Sequence, residues 1–595
     1  MKKEIKTAAI SLLIVFATFI WTTQPQMMSY NTLLNNSCQS LWVNAPSTVQ
    51  QEVNFEFHVQ AWDEWERLSS IYTGLVSFEL ISYNLTTLNN FSALWSAPAS
   101  YRFTGALIEQ GIIPGYKLSP ILGTDCGRHA FSTSISAEGV HYIKVSDDLG
   151  HITLSNPILV LNEDPQLKLY WGDIHGHSAL CDGSGYLEDV WRFAKEVAYL
   201  DFASVTTHDD WTDYYGTAPK FGAQFLWELS KDAANRWNAP NEFVTLVSYE
   251  WTAQPQGYGH MCVYYKGNDG PILSSSYPEY YTQDKLWDAL REWKNATGSD
   301  VITIPHHTGH ISSTMYYDWS YYDPEFVPLV EIYSAHGSSE KMNGLKKIKP
   351  DESQIHGFHV QDALSMGYQV GFIASGDSHD GRIGHSLLHT EANNRFQYPY
   401  TTMGLIVGFR FGEEYENGLV GVYAENLTRE SIFDALKNRA CLGTTHVSRP
   451  ILNLTINGVS AGENDSTVYV NSLTSPRVIE LFVAADGNNL IQNVTLVRNN
   501  VDLNFTTPNS QIHRFIYNDT DAMAGMNYTH GIEESGVYKI SEKAHKSLPD
   551  FTLAEPPSTN WNGTAYSDIT DVYYMRILQT NGDLAWIGPI WVKLK

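Results

Sequence analysis

Cysteine is scarce in this sequence. Five cysteines in 595 residues, with no C-x-x-C spacing, are too few for a disulfide scaffold and give no support to a zinc–thiolate site. Cys38 and Cys126 both lie in the N-terminal region, where they could pair outside the cell. The remaining three are expected to be isolated, mostly buried thiols: Cys181, Cys262 and Cys441.

Basic residues are also few. Lys and Arg number 38 against 65 Asp and Glu, which gives a formal net charge of −27, and no basic run interrupts this pattern. An acidic surface repels phosphate backbones, so the composition argues against nucleic acid as a partner. It leaves small anionic substrates open, because a bound metal can create a positive pocket in a negative protein. The 17 Trp, 35 Tyr and 24 Phe can fill several cores, which excludes wholesale disorder.

The apolar run near the N-terminus is short. It covers residues 7–21, against the ~20 residues needed to span a bilayer. Three lysines precede it, as is typical of a signal peptide or of an uncleaved N-terminal membrane anchor. Twelve N-x-S/T sequons, seven of them after residue 450, also indicate an exported, glycosylated surface. We therefore expect residues 1–29 to be a signal peptide or anchor, and the rest of the chain to be extracellular or at the cell surface.

The chain divides into three further regions by sequence pattern. Residues 30–165 and 448–595 consist of short segments with alternating apolar residues, such as 53–59 and 478–484, which predicts two β-sandwich-like domains. Residues 166–447 instead alternate apolar strands with amphipathic helices. The helices are expected near 224–237, 283–295, 353–366 and 429–439. This alternation predicts an α/β domain with a mostly parallel sheet, either a barrel or a wide open sheet.

Metal-binding residue types recur at the ends of the middle-region strands. Six successive strand ends carry His, Asp or Glu, in the segments 173–177, 207–209, 249–251, 305–307, 331–336 and 376–379. The carboxyl ends of parallel strands meet at one rim, so these side chains are expected to lie together. Without a cation, so many buried imidazoles and carboxylates would leave polar groups unpaired. The pattern predicts a metal centre.

The donor types restrict the chemistry of that centre. Nitrogen and oxygen donors without thiolate suit Zn, Mn or Fe in an open catalytic site. Eight or nine donors exceed what one ion needs, so two or three divalent ions are expected, with a bridging carboxylate. Such paired ions serve phosphoryl and related ester hydrolysis. A serine-hydrolase elbow is disfavoured, because Gly376-Asp-Ser-His-Asp380 ends in Asp rather than Gly.

The ordered set of these residues resembles the PHP (polymerase and histidinol phosphatase) superfamily, and most nearly its exported carbaryl-hydrolase-type members. The resemblance is carried by His175-Gly-His177, Asp182, His208-Asp209, Glu250, His306, His336 and Asp377-Ser-His379. It is strong in the middle region, moderate in the C-terminal region and weakest in the N-terminal one. It implies a distorted β/α barrel whose rim holds up to three metals.

The resemblance also implies how the ligands are shared among three ions. The first would be held by His175, His177, Glu250 and Asp377; the second by Glu250, His306 and His336, with Glu250 as the bridge; the third by Asp182, His208 and His379. Some relatives have His where Asp182 stands. The doubled His306-His307 leaves the choice of ligand open, and His260 could compete for the second metal.

Three further residues are candidates for catalysis. His307 and His310 could protonate a leaving group, or could be solvated or support the ligands. Arg382 could hold a substrate anion or form a surface ion pair. We expect an exported multinuclear hydrolase in which metal-bound hydroxide attacks a small-molecule phosphoester. The alternatives are a carbamate or carboxylic-ester hydrolase on the same site, or a surface binding protein for glycan or partner with a vestigial barrel. The complete ligand set argues against the last.

Overall fold

A computed structural model describes residues 36–64, 66–105, 124–209, 221–253, 258–311, 315–350, 354–386, 414–525 and 569–595. Within these ranges the protein is a mixed α/β structure with mostly strands and few helices. The expected signal peptide or anchor, residues 1–29, lies outside them. In the part of the chain that the structure describes, no helix combines the length and apolarity needed to cross a membrane.

The N-terminal region contains two facing sheets. Its strands are β1 (Ser40–Asn44), β2 (Thr48–Gln50), β3 (Phe55–Trp62), β4 (Leu75–Tyr83), β5 (Asn90–Phe91), β6 (Ser100–Arg102), β7 (Arg128–Thr133), β8 (Gly139–Asp147), β9 (Ile152–Leu154) and β10 (Ile158–Leu161). One sheet has the order β1-β3-β7, and the other follows β2-β10-β8-β4-β5 with β6 and β9 attached. Alternate residues of both sheets, among them Phe57, Val59 and Val145, bury one shared core. The region is sandwich-like, as the alternation predicts.

Cys38 and Cys126 do not form the disulfide that the sequence allowed. Neither sulfur is bonded to another cysteine. The Cys38 thiol donates to the Ser40 carbonyl at 3.3 Å, and Cys126 Sγ lies 3.2 Å from Thr124 Oγ1. Each sulfur therefore has a local polar partner in its own loop.

The middle region carries eleven strands and five α-helices in its described residues. The strands are β11 (Lys168–Asp173), β12 (Phe202–Ala203), β13 (Val244–Thr245), β14 (Val247–Thr252), β15 (His260–Tyr265), β16 (Val301–Pro305), β17 (Leu329–Ser334), β18 (Gly337–Ser338), β19 (Gly371–Ala374), β20 (Gly418–Ala424) and β21 (Cys441–Thr445). The helices are α1 (Leu187–Glu196), α2 (Phe221–Trp237), α3 (Gln283–Thr297), α4 (Val360–Ser365) and α5 (Arg429–Lys437). α3 shows how the pattern acts: Leu286, Trp287 and Leu290 lie on its buried face, and Gly298 ends it in the left-handed conformation.

Among the described residues, strand pairing in this region does not close a barrel. β11, β12 and β13 are parallel, as are β17 and β19. In contrast, β14, β15 and β16 form a separate antiparallel sheet. β20 and β21 are antiparallel to β11 and to each other. The prediction of a mostly parallel sheet therefore holds only in part, because β15 inserts between two strands that the sequence pattern would have placed side by side.

The C-terminal region shares a sheet with the middle region. Its strands are β22 (Ile451–Ile456), β23 (Val459–Ser460), β24 (Thr467–Val470), β25 (Arg477–Ala484), β26 (Ile491–Arg498), β27 (Val501–Thr506), β28 (Ile512–Asp519), β29 (Thr570–Gln579) and β30 (Leu584–Leu594). Four of them form the sheet β23-β22-β25-β28. The others extend a ten-stranded sheet ordered β13-β12-β11-β20-β21-β30-β29-β26-β27, with β24 on β30. One sheet thus crosses the expected domain boundary between residues 447 and 448.

Candidate metal centre

The ends of the middle-region strands place the predicted ligands around one buried site. His175 and His177 follow β11, His208 follows β12, and Glu250 lies within β14. His306, His336 and Asp377 follow β16, β17 and β19. Two isolated parallel bridges, Gly176 to Ser378 and His208 to Glu250, join the separate sheets at this point. Residues distant in sequence therefore meet, as the convergence of strand ends requires.

Glu250 lies at the middle of the site and is 1 % exposed. Its oxygen Oε2 is 3.3 Å from His175 Nε2 and 3.2 Å from His177 Nε2. Its other oxygen, Oε1, is 3.4 Å from His208 Nδ1, 2.7 Å from His260 Nδ1 and 3.2 Å from His306 Nε2. The two oxygens of one carboxylate thus face two different sets of imidazoles.

Asp377 is the second carboxylate of the site. Its Oδ1 lies 3.4 Å from His175 Nε2 and 3.2 Å from His177 Nε2, and its Oδ2 lies 2.9 Å from His336 Nε2. Asp377 adopts a left-handed backbone with φ of 50°, a conformation that Asp tolerates better than most residues. The expected second ligand set is therefore divided: His336 faces Asp377, whereas His306 faces Glu250.

Asp182 forms a third group with two imidazoles. Its Oδ1 is 3.4 Å from His208 Nε2, and its Oδ2 is 3.4 Å from His379 Nε2. His177 lies next to this group, stacked on His208 and His379 with ring centroids 4.5 and 4.2 Å apart. The donor atoms of all four residues lie within 4.8 Å of one another.

His260 and His307 both lie beside His306, with ring centroids 5.5 and 4.3 Å from that of His306. Donor atoms of the three rings also fall within 4.8 Å of one another. His310 lies next to His307, with ring centroids 5.7 Å apart. The two residues that the sequence left open as alternatives to His306 thus both lie next to it.

Several side chains that support the site were not among the candidates from the sequence. Glu331 Oε2 is 2.9 Å from His175 Nδ1, and Thr252 Oγ1 is 2.6 Å from His208 Nδ1. A lone carboxylate in the apolar run 329–334 is the signal that could have revealed Glu331. Asp173 accepts from Gly376 N and Gly384 N at 2.8 Å each, which fixes the loop carrying Asp377.

The carboxylates and imidazoles of the site shift each other's pKa. Burial raises the pKa of Glu250, but His208, His306 and the other rings outweigh it and hold this pKa well below the usual range. Burial lowers the pKa of His208, yet Glu250 and Asp182 outweigh that effect and hold it well above its ordinary value. The buried carboxylates thus attract positive charge, which either protons or metal ions can supply.

The pKa values of His307 and His310 shift in the opposite direction to that of His208. Burial, with the nearby His336 and Lys349 charges, lowers the pKa of His310 to about 2. Burial and the neighbouring His306 and His260 hold the pKa of His307 well below its ordinary value. Both rings are therefore neutral and only weakly basic at pH 7, which suits an ion ligand or a hydrogen-bonding group better than a general acid or base.

The residues present fit divalent ions. Four groups of donor atoms close enough to share an ion occur among the described residues, and they overlap at His175, His177 and His306. The buried ring nitrogens without a hydrogen-bond partner there include His260 Nε2, His306 Nε2 and His307 Nδ1. Imidazole and carboxylate donors with unused lone pairs are what Zn, Mn and Fe bind.

Arg382 is held by contacts outside the histidine cluster. Its Nη2 donates to the Glu66 carbonyl at 2.9 Å, and its guanidinium packs on the rings of Trp62 and Phe193. His385 in the same loop contacts the Glu66 carboxylate at 2.9 Å. These contacts bind the loop that follows Asp377 to the N-terminal region.

The middle region matches a family model for a protein of unknown function, DUF3604, over residues 204–352 and 351–449. That family has no assigned activity. An uncharacterized protein of Chlamydia pneumoniae is 25 % identical over 465 residues, covering 77 % of this chain and 62 % of the relative. An uncharacterized protein of Chlamydia trachomatis is 24 % identical over 430 residues, covering 72 % and 58 %. The chain therefore spans about three fifths of the length of these relatives.

A solved structure of a two-domain protein from Bacteroides vulgatus, described as containing a predicted PHP-like metal-dependent phosphoesterase, is also similar. It is 14 % identical, with a TM-score of 0.30, and the match covers 61 % of this chain and 91 % of that one.

Proposed function

We propose that this protein is a multinuclear metal-dependent hydrolase that cleaves a small-molecule phosphoester. The observation that carries the proposal is Glu250: its two oxygens face separate sets of imidazoles, as a carboxylate shared by two ions would. Glu250, Asp377 and Asp182 are all held ionised by neighbouring imidazoles. The ordered motifs that resemble the PHP superfamily support the choice of phosphoesters.

Three groups of side chains would hold the ions. The first is His175, His177, Glu250 and Asp377; the second is Glu250 with His306 and His260 or His307; the third is Asp182, His208 and His379. Divalent ions there would supply activated water and neutralise charge that develops on the ester. His307 and His310, neutral and weakly basic, would bind an ion or hydrogen-bond the ester rather than take up a proton.

The test measures metal content and hydrolysis together. Purified protein is assayed with an aryl phosphomonoester, an aryl phosphodiester, an aryl carboxylic ester and an aryl carbamate, before and after exhaustive chelation and with Mn or Zn restored. We expect bound metal, phosphoester cleavage that chelation abolishes, and recovery with added ion. Preferential cleavage of the carbamate or carboxylic ester would replace the proposed substrate class. Bound metal without hydrolysis of any substrate would contradict the enzymatic function.

We also propose that the protein is exported. The apolar run within residues 1–29 and the twelve sequons support this. Residues 1–29 lie outside the described residues.

A further inference from the structure

Five imidazoles of the centre share one orientation. Each directs Nε2 toward Glu250, Asp377 or Asp182, and each has a different fixed group opposite Nδ1. The five are His175, His177, His208, His306 and His379. For three of them the group opposite Nδ1 is an ordinary acceptor: the Glu331 carboxylate, the Thr252 hydroxyl and the Asp377 carbonyl. An acceptor at Nδ1 fixes the tautomer whose Nε2 carries a free lone pair for a metal.

The group opposite Nδ1 of His177 is a thiol. Cys181 Sγ lies 3.4 Å from His177 Nδ1 and is fully buried. A turn fixes its place, since the Cys181 N–H donates to the Ser178 carbonyl at 3.1 Å. The thiol hydrogen has its own acceptor, the same Ser178 carbonyl, 3.7 Å from the sulfur. The sulfur lone pairs are thereby left for the His177 N–H.

The group opposite Nδ1 of His306 is also a thiol. Cys262 Sγ lies 3.8 Å from His306 Nδ1. Register explains the contact: Cys262 pairs directly with Glu250 on one side and with Ile304 on the other. Residues directly opposite each other in a sheet share a face, and His306 is two positions beyond Ile304. β15 therefore places its thiol on the face that carries Glu250, next to Nδ1 of His306.

We propose that Cys181 and Cys262 are positioning residues, whose sulfurs accept a hydrogen bond from Nδ1 of His177 and His306 and so present each Nε2 as a metal donor. The inference rests on the proposed metal centre. It gives the two buried thiols a role that is neither nucleophilic nor structural alone. It also accounts for two cysteines beside the histidines, and it distinguishes positioning from ligation by Cys262, whose sulfur lies close enough to His175 and His306 donor atoms to share an ion with them.

The test compares Ala and Ser variants at both positions with a matched control. Cys441→Ala is the control, because Cys441 is equally buried but its thiol donates to the Phe372 carbonyl. The affinity of the full chain for Zn is measured by competition with a chelator. Co(II) spectra report the ligand field. We expect Cys181→Ala and Cys262→Ala to weaken Zn binding by ~10–100-fold, the Ser variants to recover much of it, and Cys441→Ala to leave it unchanged. At saturating metal, Cys181→Ala should remain active.

Three outcomes would overturn the inference. The first is Zn affinity unchanged in both Ala variants while their melting temperatures fall, which would make the thiols merely structural. The second is a sulfur-to-cobalt charge-transfer band in the wild type that Cys262→Ser removes, which would make Cys262 a ligand. If a variant fails to fold, the Co(II) spectrum of the wild type still shows whether any thiolate is a ligand. The third is a wild type that binds no metal, which alone would also overturn the proposed function.

Discussion

Glu250 divides its two oxygens between five imidazoles that come from four separate segments of the chain. A neutral amide cannot replace it at both oxygens, since one amide position is a donor. At the scale of single residues, the whole centre therefore depends on this carboxylate more than on any one ring.

We predict that Glu250→Gln abolishes hydrolysis and lowers bound metal with the fold retained. His310→Ala, in contrast, should lower the rate by at most the ~10²–10⁴ typical of a lost acid or base. Metal content, circular dichroism and initial rates check this. Glu242→Gln is the control, because the side chain of Glu242 is 70 % exposed and pairs only with Lys195 among the contacts described. Full activity of Glu250→Gln would contradict the bridging role.

The elements that hold the site are short loops after the strands. The loop following β19 carries Asp377 and His379, and Asp173 at the end of β11 accepts from its Gly376 N–H and Gly384 N–H. Asp173 is fully buried. In an Asp173→Asn variant, one of these backbone donors would face an amide NH₂ instead of an oxygen.

We predict that Asp173→Asn weakens Zn affinity by ~10–100-fold without removing any metal donor, because groups that orient ligands matter nearly as much as the ligands. Chelator competition measures the affinity, and limited proteolysis within 376–386 measures loosening of the loop. Asp164→Asn, on an exposed side chain paired with Lys168, should change neither. Equal affinity and equal cleavage in Asp173→Asn would show that the loop is held by other contacts.

The sequence predicts most elements of the middle region, and the failures have physical causes. α3 is expected at 283–295 and found at Gln283–Thr297, because its apolar residues repeat at helical spacing and Gly298 ends it. α4 is shorter than expected, since Gly357 has φ of 103° and His359 is an extended N-cap. β15 was not predicted, because a second apolar strand directly after β14 breaks the strand–helix alternation.

The sequence predicts which residue types form the site, but not which imidazole faces which carboxylate. Parallel strand ends converge, so His and Asp at those ends can be expected together. Which ring faces Glu250 depends on turn geometry that the sequence does not specify. His307, for example, has a positive φ of 32°, and His260 enters from the antiparallel strand β15.

At the scale of the whole molecule, buried polar contacts join the middle and C-terminal regions. Glu340, which follows β18 and is 1 % exposed, pairs with Arg576 of β29. It also accepts from the Tyr574 hydroxyl at 2.8 Å and from Trp586 Nε1 at 3.0 Å. One carboxylate thus satisfies donors from two strands of the shared sheet.

We predict that Glu340→Ala lowers the free energy of unfolding by about 3–5 kcal/mol, because it leaves a buried guanidinium short of a partner. Urea denaturation followed by tryptophan fluorescence checks this, since Trp586 contacts the mutated position. Glu242→Ala, which removes an exposed ion pair, should cost at most about 1 kcal/mol. A change in Glu340→Ala no larger than in this control would show that the two regions are not joined through Glu340.

The shared sheet also bears on how the protein is made. β21 hydrogen-bonds to β20 on one side and to β30 on the other, yet β30 comprises residues 584–594. On the ribosome, β21 emerges long before its second partner and presents an open sheet edge, which is a site for misassociation between nascent chains. We therefore expect that chaperones are needed most after residue 445 has been translated and before residue 594 completes β30.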